Sequence, residues 1–362
     1  MRIVHLDTGQ ELRGGQRQLL CLARGLRERG HEQLIVCLDG SRLEPRAREE
    51  GFRIFALPRD DPGHAHGMMQ LRQRLLAEPA QILHAHDGKG QTLSWLASLG
   101  LRVRRVASRR VTFLPGAVKR HRFIYTRTCH AVIAVSHYIR ALLITAGIPG
   151  DKIEVIPDGI EIPAELATRA ERARTRAAWG FGEQEFAIGH MGAFTPEKGQ
   201  DVAIDTLRLL VERLPAARLL LVGNPHSGQR VALGERIKSS GARVRLLGEL
   251  DELRGFFAGI DLFIMPSRAE GLGSAALLAM AQGLPVLASR VGGLPEIVES
   301  GRSGWLVEPG SPQQLADGII AAASDRARLT EFGLHARERA RQFSSDIMVA
   351  KTEALYQRLL TY

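Results

Sequence analysis

The chain reads as two doubly wound α/β units in tandem. Three observations predict this: short apolar runs alternate with amphipathic stretches, the alternation stops at a proline-flanked segment, and it then restarts. A length of 362 residues exceeds one ordinary core and suits two. In the first half, residues 3–6, 34–37, 54–57, 82–84, 103–107 and 131–135 read as strands. Helical patterns at 16–29, 71–77 and 138–146 lie between them. Strand–helix alternation of this kind means βαβ units and a parallel sheet. Residues 156–163 (IPDGIEIP) form a turn-rich linker. Beyond it, 186–190, 217–222, 244–247, 262–265 and 286–288 are strand candidates, with helices at 198–213, 274–282 and 312–323. A last helix at 346–360 carries Met348, Leu355 and Leu359 on one stripe. The predicted organisation is a first domain at 1–163, a second at 164–345, and a C-terminal helix at 346–362 that crosses back to the first.

Composition narrows the class. Apolar residues at 44% and charged residues at 24% exclude general disorder. No apolar run is long enough to span a membrane, and the start reads as a strand rather than a leader. The odd, scattered Cys21, Cys37 and Cys129 fit small buried side chains in a reducing cytoplasm. The net charge is +10, and its location matters more than its size. Residues 88–150 contain no Asp or Glu but eleven cations, so the rest of the chain nets about −1. Arg109, Arg110, Lys119, Arg120 and Arg122 of that segment are candidate anion or acceptor contacts. The run 119–122 is followed by Phe123, Ile124 and Tyr125, a pairing of charge with apolar anchors that suits an anionic surface. A soluble basic face without a partner fits the same residues.

In open parallel sheets ligands sit beyond the carboxyl ends of strands, so residues just after strands are informative. The stretch 265–286 (MPSRAEGLGSAALLAMAQGLPV) carries the strongest signal. Gly271, Leu272 and Gly273 form a loop that lets backbone approach a ligand, and Ser274 is expected to cap the helix that follows. Its exposed N–H groups favour a pyrophosphate, and Glu270 at its mouth suits sugar hydroxyls. A surface turn with a capped core helix is the competing reading. Lys198 follows the glycine-bearing loop 192–199 (GAFTPEKG) and suits phosphate, although such a turn is also common in solvent. Gly14 and Gly15 follow the first strand, as a phosphate-closing loop or as a plain tight turn. His86 follows the strand at 82–84, where a structural and a ligand-contacting role both remain open.

The stretch from Glu270 to Gly283 resembles the signature of family 4 glycosyltransferases, and other segments agree in order. Residues 192–199, 291–298 (VGGLPEIV) and 301–309 (GRSGWLVEP) look like the family's phosphate and nucleotide-side loops. Residues 133–136 (IAVS) and 155–160 (VIPDGI) match the end of its first domain. Residues 84–87 (HAHD) and 108–111 (SRRV) are similar to a subgroup of lipopolysaccharide and cell-surface glycan pathways. The resemblance implies a GT-B fold, two Rossmann-like domains facing a cleft that closes on a hinge. It implies a retaining hexosyl- or heptosyltransferase that moves sugar from a nucleotide-sugar to a cell-envelope glycan or lipid-linked acceptor. It implies no cofactor and no essential metal, and a cytoplasmic enzyme peripheral to the inner face of the membrane. Catalytic roles would fall to Glu270, His86 and Lys198. Donor contacts would come from Gly14, Gly15, Gly192, Lys198, Gly271, Leu272, Gly273, Ser274 and Glu296.

Two positions depart from the pattern. Ala193 stands where an Arg usually holds phosphate, removing one fork of donors. Leu278 stands where a second carboxylate usually binds ribose. A degenerate, non-catalytic relative is therefore one alternative, and a nucleotide-sugar epimerase or hydrolase is another. The latter would need an acid–base pair, and no paired carboxylate or histidine cluster is evident in the sequence. Nucleic-acid binding lacks a motif and aromatics, and a nicotinamide dehydrogenase would need G-x-G-x-x-G after the first strand.

Overall fold

The computed structural model describes residues 1–59, 65–112, 123–223, 227–240, 243–250 and 252–361. The chain divides into two compact units, Met1–Gly159 with Ser345–Tyr362, and Ile160–Ser344. The first is built on strands β1 (Arg2–Leu6), β2 (Glu32–Leu38), β3 (Arg53–Leu57), β4 (Ile82–Ala85), β5 (Arg104–Arg109), β6 (Ala131–Ala134) and β7 (Ile153–Val155). All pair in parallel, in the order β3-β2-β1-β4-β5-β6-β7. The second holds β8 (Phe186–Met191), β9 (Ala217–Val222), β10 (Val244–Gly248), β11 (Leu262–Met265), β12 (Val286–Ser289) and β13 (Gly304–Val307), in the order β10-β9-β8-β11-β12-β13.

Parallel strands covered on both faces read as continuous apolar runs, which is why β4, β6, β11 and β12 are buried at every residue. Each fully buried Val, Leu or Ile contributes about 1.5–3 kcal/mol. The fold class is therefore the expected pair of doubly wound sheets. Two strands escaped the sequence reading. β7 has three residues, and β13 lies inside the 301–309 segment that resembles a nucleotide-side loop. The helix predicted from 198 begins at Gln200, after a short 3-10 turn at Pro196–Lys198, and ends at Leu209.

The C-terminal helix, Ser345–Thr361, belongs to the first unit. Met348, Val349, Leu355 and Tyr356 enter a cluster with Ile3, Leu22, Leu26, Ile82 and Val106. Its approach to the helix Gly14–Glu28 requires Gly25, where a Cβ would stand 2.5 Å from Val349. Gln18 on that same helix clamps the end of the first stretch of chain, accepting from Gly159 N at 3.0 Å and donating to Gly159 O at 2.8 Å.

Candidate active site

Strand order reverses between β8 and β11, so the loops after these two strands part and leave room beyond their carboxyl ends. Gly192 and Ala193 follow β8 directly, and Glu270 lies in the loop after β11. The loops are locked together by backbone. Gly199, at φ +69°, lies against Pro266, where a Cβ would meet the carbonyl oxygen at 2.0 Å. Gly292, at φ +58°, lies against Glu270, where a Cβ would stand 1.7 Å from the carbonyl oxygen. Arg268 N donates to Glu197 O at 2.7 Å, and the Arg268 guanidinium holds both carboxylate oxygens of Asp201. Only glycine adopts this left-handed backbone cheaply and tolerates such an approach.

This frame brings Lys198 and Glu270 together. Lys198 Nζ donates to Glu270 Oε2 at 2.6 Å, and the two side chains stay 25% and 11% exposed. A half-buried pair of this kind is a cation and an acceptor held ready at a loop mouth. Ser274 is not the helix cap, a correction to the sequence reading. Gly273, at φ +109°, occupies the cap position, and Ser274 is the first residue of the helix Ser274–Ala281. Leu272 is a core side chain, so only its backbone is available to a ligand. Leu278 is half-buried on the same helix, and no acid occupies its first turn. Glu296 lies in the first turn of the short helix Leu294–Ile297, half-buried, and its carbonyl accepts from Arg339.

His190, on β8, escaped the sequence reading. Its Nδ1 faces Ile264 O at 3.1 Å, its Nε2 has no protein partner among the described residues, and burial lowers its pKa to about 4. Ser267 Oγ is likewise buried without a partner among the described residues.

In the first unit the order reverses between β1 and β4. His86 follows β4 and is buried, and it is not a lone histidine. His5 and His84 pair across β1 and β4, and the ring centroids of His84 and His86 lie 4.0 Å apart. The three could group around a metal, their nearest ligand atoms within 4.8 Å, but every ring nitrogen already faces a protein partner. His84 meets Tyr356 Oη at 2.6 Å and Ser108 Oγ at 2.8 Å. His5 meets His86 Nε2 at 3.1 Å and Gln33 Oε1 at 3.0 Å, and His86 Nδ1 faces Arg110 Nη1 at 3.5 Å. Burial drives the pKa of His5 down to about 4 and those of His84 and His86 well below the usual value, with the Arg110 charge adding to the effect on the last two.

A carboxylate pair stands beside this trio. Asp7 accepts from Gly9 N and Gln16 Nε2, and Asp87 caps the helix Gly88–Ala97 through Gly90 N and accepts from Thr8 Oγ1. Burial and the neighbouring Asp7 charge raise the Asp87 pKa to about 6. The sequence reading found neither a histidine cluster nor paired carboxylates, and the fold supplies both. His84 and His86 were visible at spacing two, but β1 and the residue just after it supply His5 and Asp7, and the register of one parallel strand on another is not written in either strand alone.

Gly14 and Gly15 are the first two residues of the helix Gly14–Glu28 and do not precede it, another correction. A Cβ on Gly14 would meet nothing within 4 Å, and one on Gly15 only Arg110 Cδ at 4.0 Å, so packing among the described residues does not demand glycine there. Neither of the candidate anion contacts Arg109 and Arg110 is an exposed cation. Arg109 is buried beside Tyr125, and Arg110 Nε donates to Asp158 Oδ1 at 2.9 Å with little exposure.

The basic segment is partly internal. Arg105 donates to Thr128 O and Ser98 Oγ, which spends its charge on structure. Lys119, Arg120 and Arg122 lie outside the described residues. Of the three expected apolar anchors, Ile124 and Tyr125 are core residues, and Phe123 alone is exposed, edge-on to Trp95. No described helix is long and apolar enough to cross a membrane.

Two family patterns match in order: Glycosyltransferase Family 4 over residues 12–162 and Glycosyl transferases group 1 over residues 185–325. Together they take in most of the chain. The chain belongs to the group 1, family 4 glycosyltransferases. Among curated relatives, a D-inositol 3-phosphate glycosyltransferase of Nocardia farcinica is 32% identical over 57% of this chain and 47% of its own length. The lipopolysaccharide core biosynthesis mannosyltransferase LpsB of Rhizobium meliloti is 26% identical over 81% of this chain and 84% of its own. The alignments with the first of these relatives span about half of the relatives' length. The Anabaena protein HepE, solved in complex with UDP-glucose, superposes with a TM-score of 0.90 over 99% of this chain and 100% of its own, at 24% identity. That likeness places the fold in the GT-B class.

Proposed function

We propose that this family member transfers a hexosyl or heptosyl group from a nucleotide-sugar to a hydroxyl of an anionic cell-envelope glycan or lipid-linked acceptor, with retention and without an essential metal. The observation that carries the reading is the Lys198–Glu270 pair at the reversal point of the second sheet. When a donor binds, Lys198 exchanges Glu270 for the diphosphate, and Glu270 turns to the sugar hydroxyls. Negative charge that grows on the leaving phosphate meets Lys198 and the N–H groups opening the helix Ser274–Ala281. UDP-glucose in HepE and GDP-mannose in the name of a Mycobacterium tuberculosis relative support a nucleotide-sugar donor. Inositol phosphate, phosphatidylinositol and lipopolysaccharide core in relatives' names support an anionic acceptor, as does the acid-free stretch at 88–150. An acceptor of this kind supports a station at the inner face of the cytoplasmic membrane.

The test is a panel of UDP-, GDP- and ADP-sugars, read by thermal shift and by product formation with and without excess EDTA. At least one nucleotide should raise the melting temperature, since a ligand of the native state stabilises it, and EDTA should leave turnover unchanged. Binding of no nucleotide-sugar would favour a non-catalytic relative, which Ala193 and Leu278 make a specific alternative. Release of free sugar as fast without acceptor as with it would favour a hydrolase.

A further inference from the structure

Each polar contact around His86 has a defined direction, and the direction can be followed from the far end. Gln33 Nε2 donates to the carbonyl of Ala23 at 2.8 Å, which fixes the side-chain amide, because a carbonyl oxygen facing another carbonyl would be repelled. The Gln33 Oε1 therefore faces His5 Nε2 at 3.0 Å and must receive a proton from it. A neutral His5 protonated at Nε2 has a bare Nδ1, and that nitrogen lies 3.1 Å from His86 Nε2. His86 Nε2 must then carry its proton, leaving Nδ1 as the lone-pair nitrogen. The near end agrees independently: His86 Nδ1 faces Arg110 Nη1 at 3.5 Å, and a guanidinium only donates. Asp158 holds Arg110 in place through Nε.

We propose that Gln33 and His5 are positioning residues that lock His86 in the Nε2–H tautomer, so that it presents Nδ1 as a fixed hydrogen-bond acceptor. All four hydrogen bonds run one way, from Arg110 through His86, His5 and Gln33 to Ala23 O. The members other than Arg110 are buried, so reversing any one link strands a buried donor against a donor elsewhere in the row. With its Nε2–H committed to His5, His86 can offer a ligand hydroxyl only a hydrogen-bond acceptor at Nδ1, in place of Arg110, and no donor. The consequence for transfer rests on the activity proposed above; the tautomer does not.

The experiment uses the full chain labelled with ¹⁵N-histidine, in the absence of ligand, with His86 assigned by its loss in a His86→Gln sample. Two-bond proton–nitrogen spectra distinguish a bare ring nitrogen from a protonated one. His86 should show a bare Nδ1 and a protonated Nε2, and His5 the same pattern. In Gln33→Met, similar in volume but without the acceptor, both rings should become mixtures of the two tautomers, because the 3.5 Å contact to Arg110 is too long to hold the row by itself. Transfer by Gln33→Met should fall by roughly tenfold in kcat, with KM for the donor nearly unchanged. A protonated Nδ1 on wild-type His86 overturns the proposal, as does an unaltered tautomer in folded Gln33→Met. If Gln33→Met does not fold, the wild-type spectrum decides alone. If the wild type transfers no sugar but His86 shows a bare Nδ1, the activity assignment fails and the relay stands.

Discussion

Lys198 and Glu270 are bonded to each other, yet the chemistry asks different things of them. Lys198→Ala should weaken binding of the free nucleoside diphosphate, measured by calorimetry, because Ala193 supplies no second cation. Glu270→Gln keeps the size and removes only the anionic acceptor. It should leave that binding nearly intact and cut transfer by roughly 10²-fold or more if the lost contact belongs to the transition state. Parent-rate transfer by both variants would show the site to be elsewhere. Leu278→Glu tests the other departure, and tighter nucleotide binding would mean that the ribose contact is merely weakened in this chain. At Asp87 the sign of the pH effect is unusual for a carboxylate. Its folded pKa, about 6, lies above the unfolded value of 3.8, so the folded state binds the proton more tightly. Ionisation therefore costs stability as pH rises through this window, on the order of 3 kcal/mol. Asp87→Asn keeps a capping side chain and removes this opposing effect, so the gain in stability from pH 4 to pH 7, read by urea unfolding, should be larger by about that amount.

At the scale of single elements, the glycine loops of the second unit decide where Glu270 stands. Gly292→Ala would combine a left-handed backbone with a Cβ 1.7 Å from the Glu270 carbonyl oxygen. We expect a loss of about 2–4 kcal/mol in urea unfolding, with nucleotide affinity falling as well, because the strain is relieved by moving Glu270. An unchanged melting temperature would mean that the loop is free to shift. These loops were legible in the sequence, since residues 192–199 and 291–298 carry glycines at the points where backbone meets backbone. What surrounds them was less so. The helix Arg326–Arg341 buries Leu329, Phe332, Gly333, Ala336 and Ala340, but glycine and alanine make a faint stripe among its charges. His5 and Asp7 were legible as strand residues and not as partners of His84, His86 and Asp87, because parallel register depends on the whole sheet. The apolar look of residues 123–125 suggested anchors, and only burial separates Phe123 from Ile124 and Tyr125.

Across the whole molecule, buried neutral histidines set an acid limit. His5, His84 and His86 lie in the first unit and His190 in the second, all with depressed pKa values caused chiefly by burial. A histidine whose folded pKa is below its unfolded 6.5 binds fewer protons when folded, so protons favour unfolding. Its contribution to stability is complete above pH 6.5 and is lost as pH falls toward the folded value. For His5 and His190, at about 4, that loss is on the order of 3 kcal/mol each by pH 4. Asp87 works in the opposite direction over the same range and offsets about one histidine. The balance still leaves the first unit more acid-sensitive, because its three histidines share one buried relay and cannot all become charged without losing it. Limited proteolysis between pH 7 and 4.5 should therefore cut Met1–Gly159 before Ile160–Ser344, and differential calorimetry should show the earlier transition moving further down. His190→Asn should flatten the response of the second unit alone. Simultaneous loss of both units, with His190→Asn altering neither, would mean that the acid limit lies in the surface carboxylates instead.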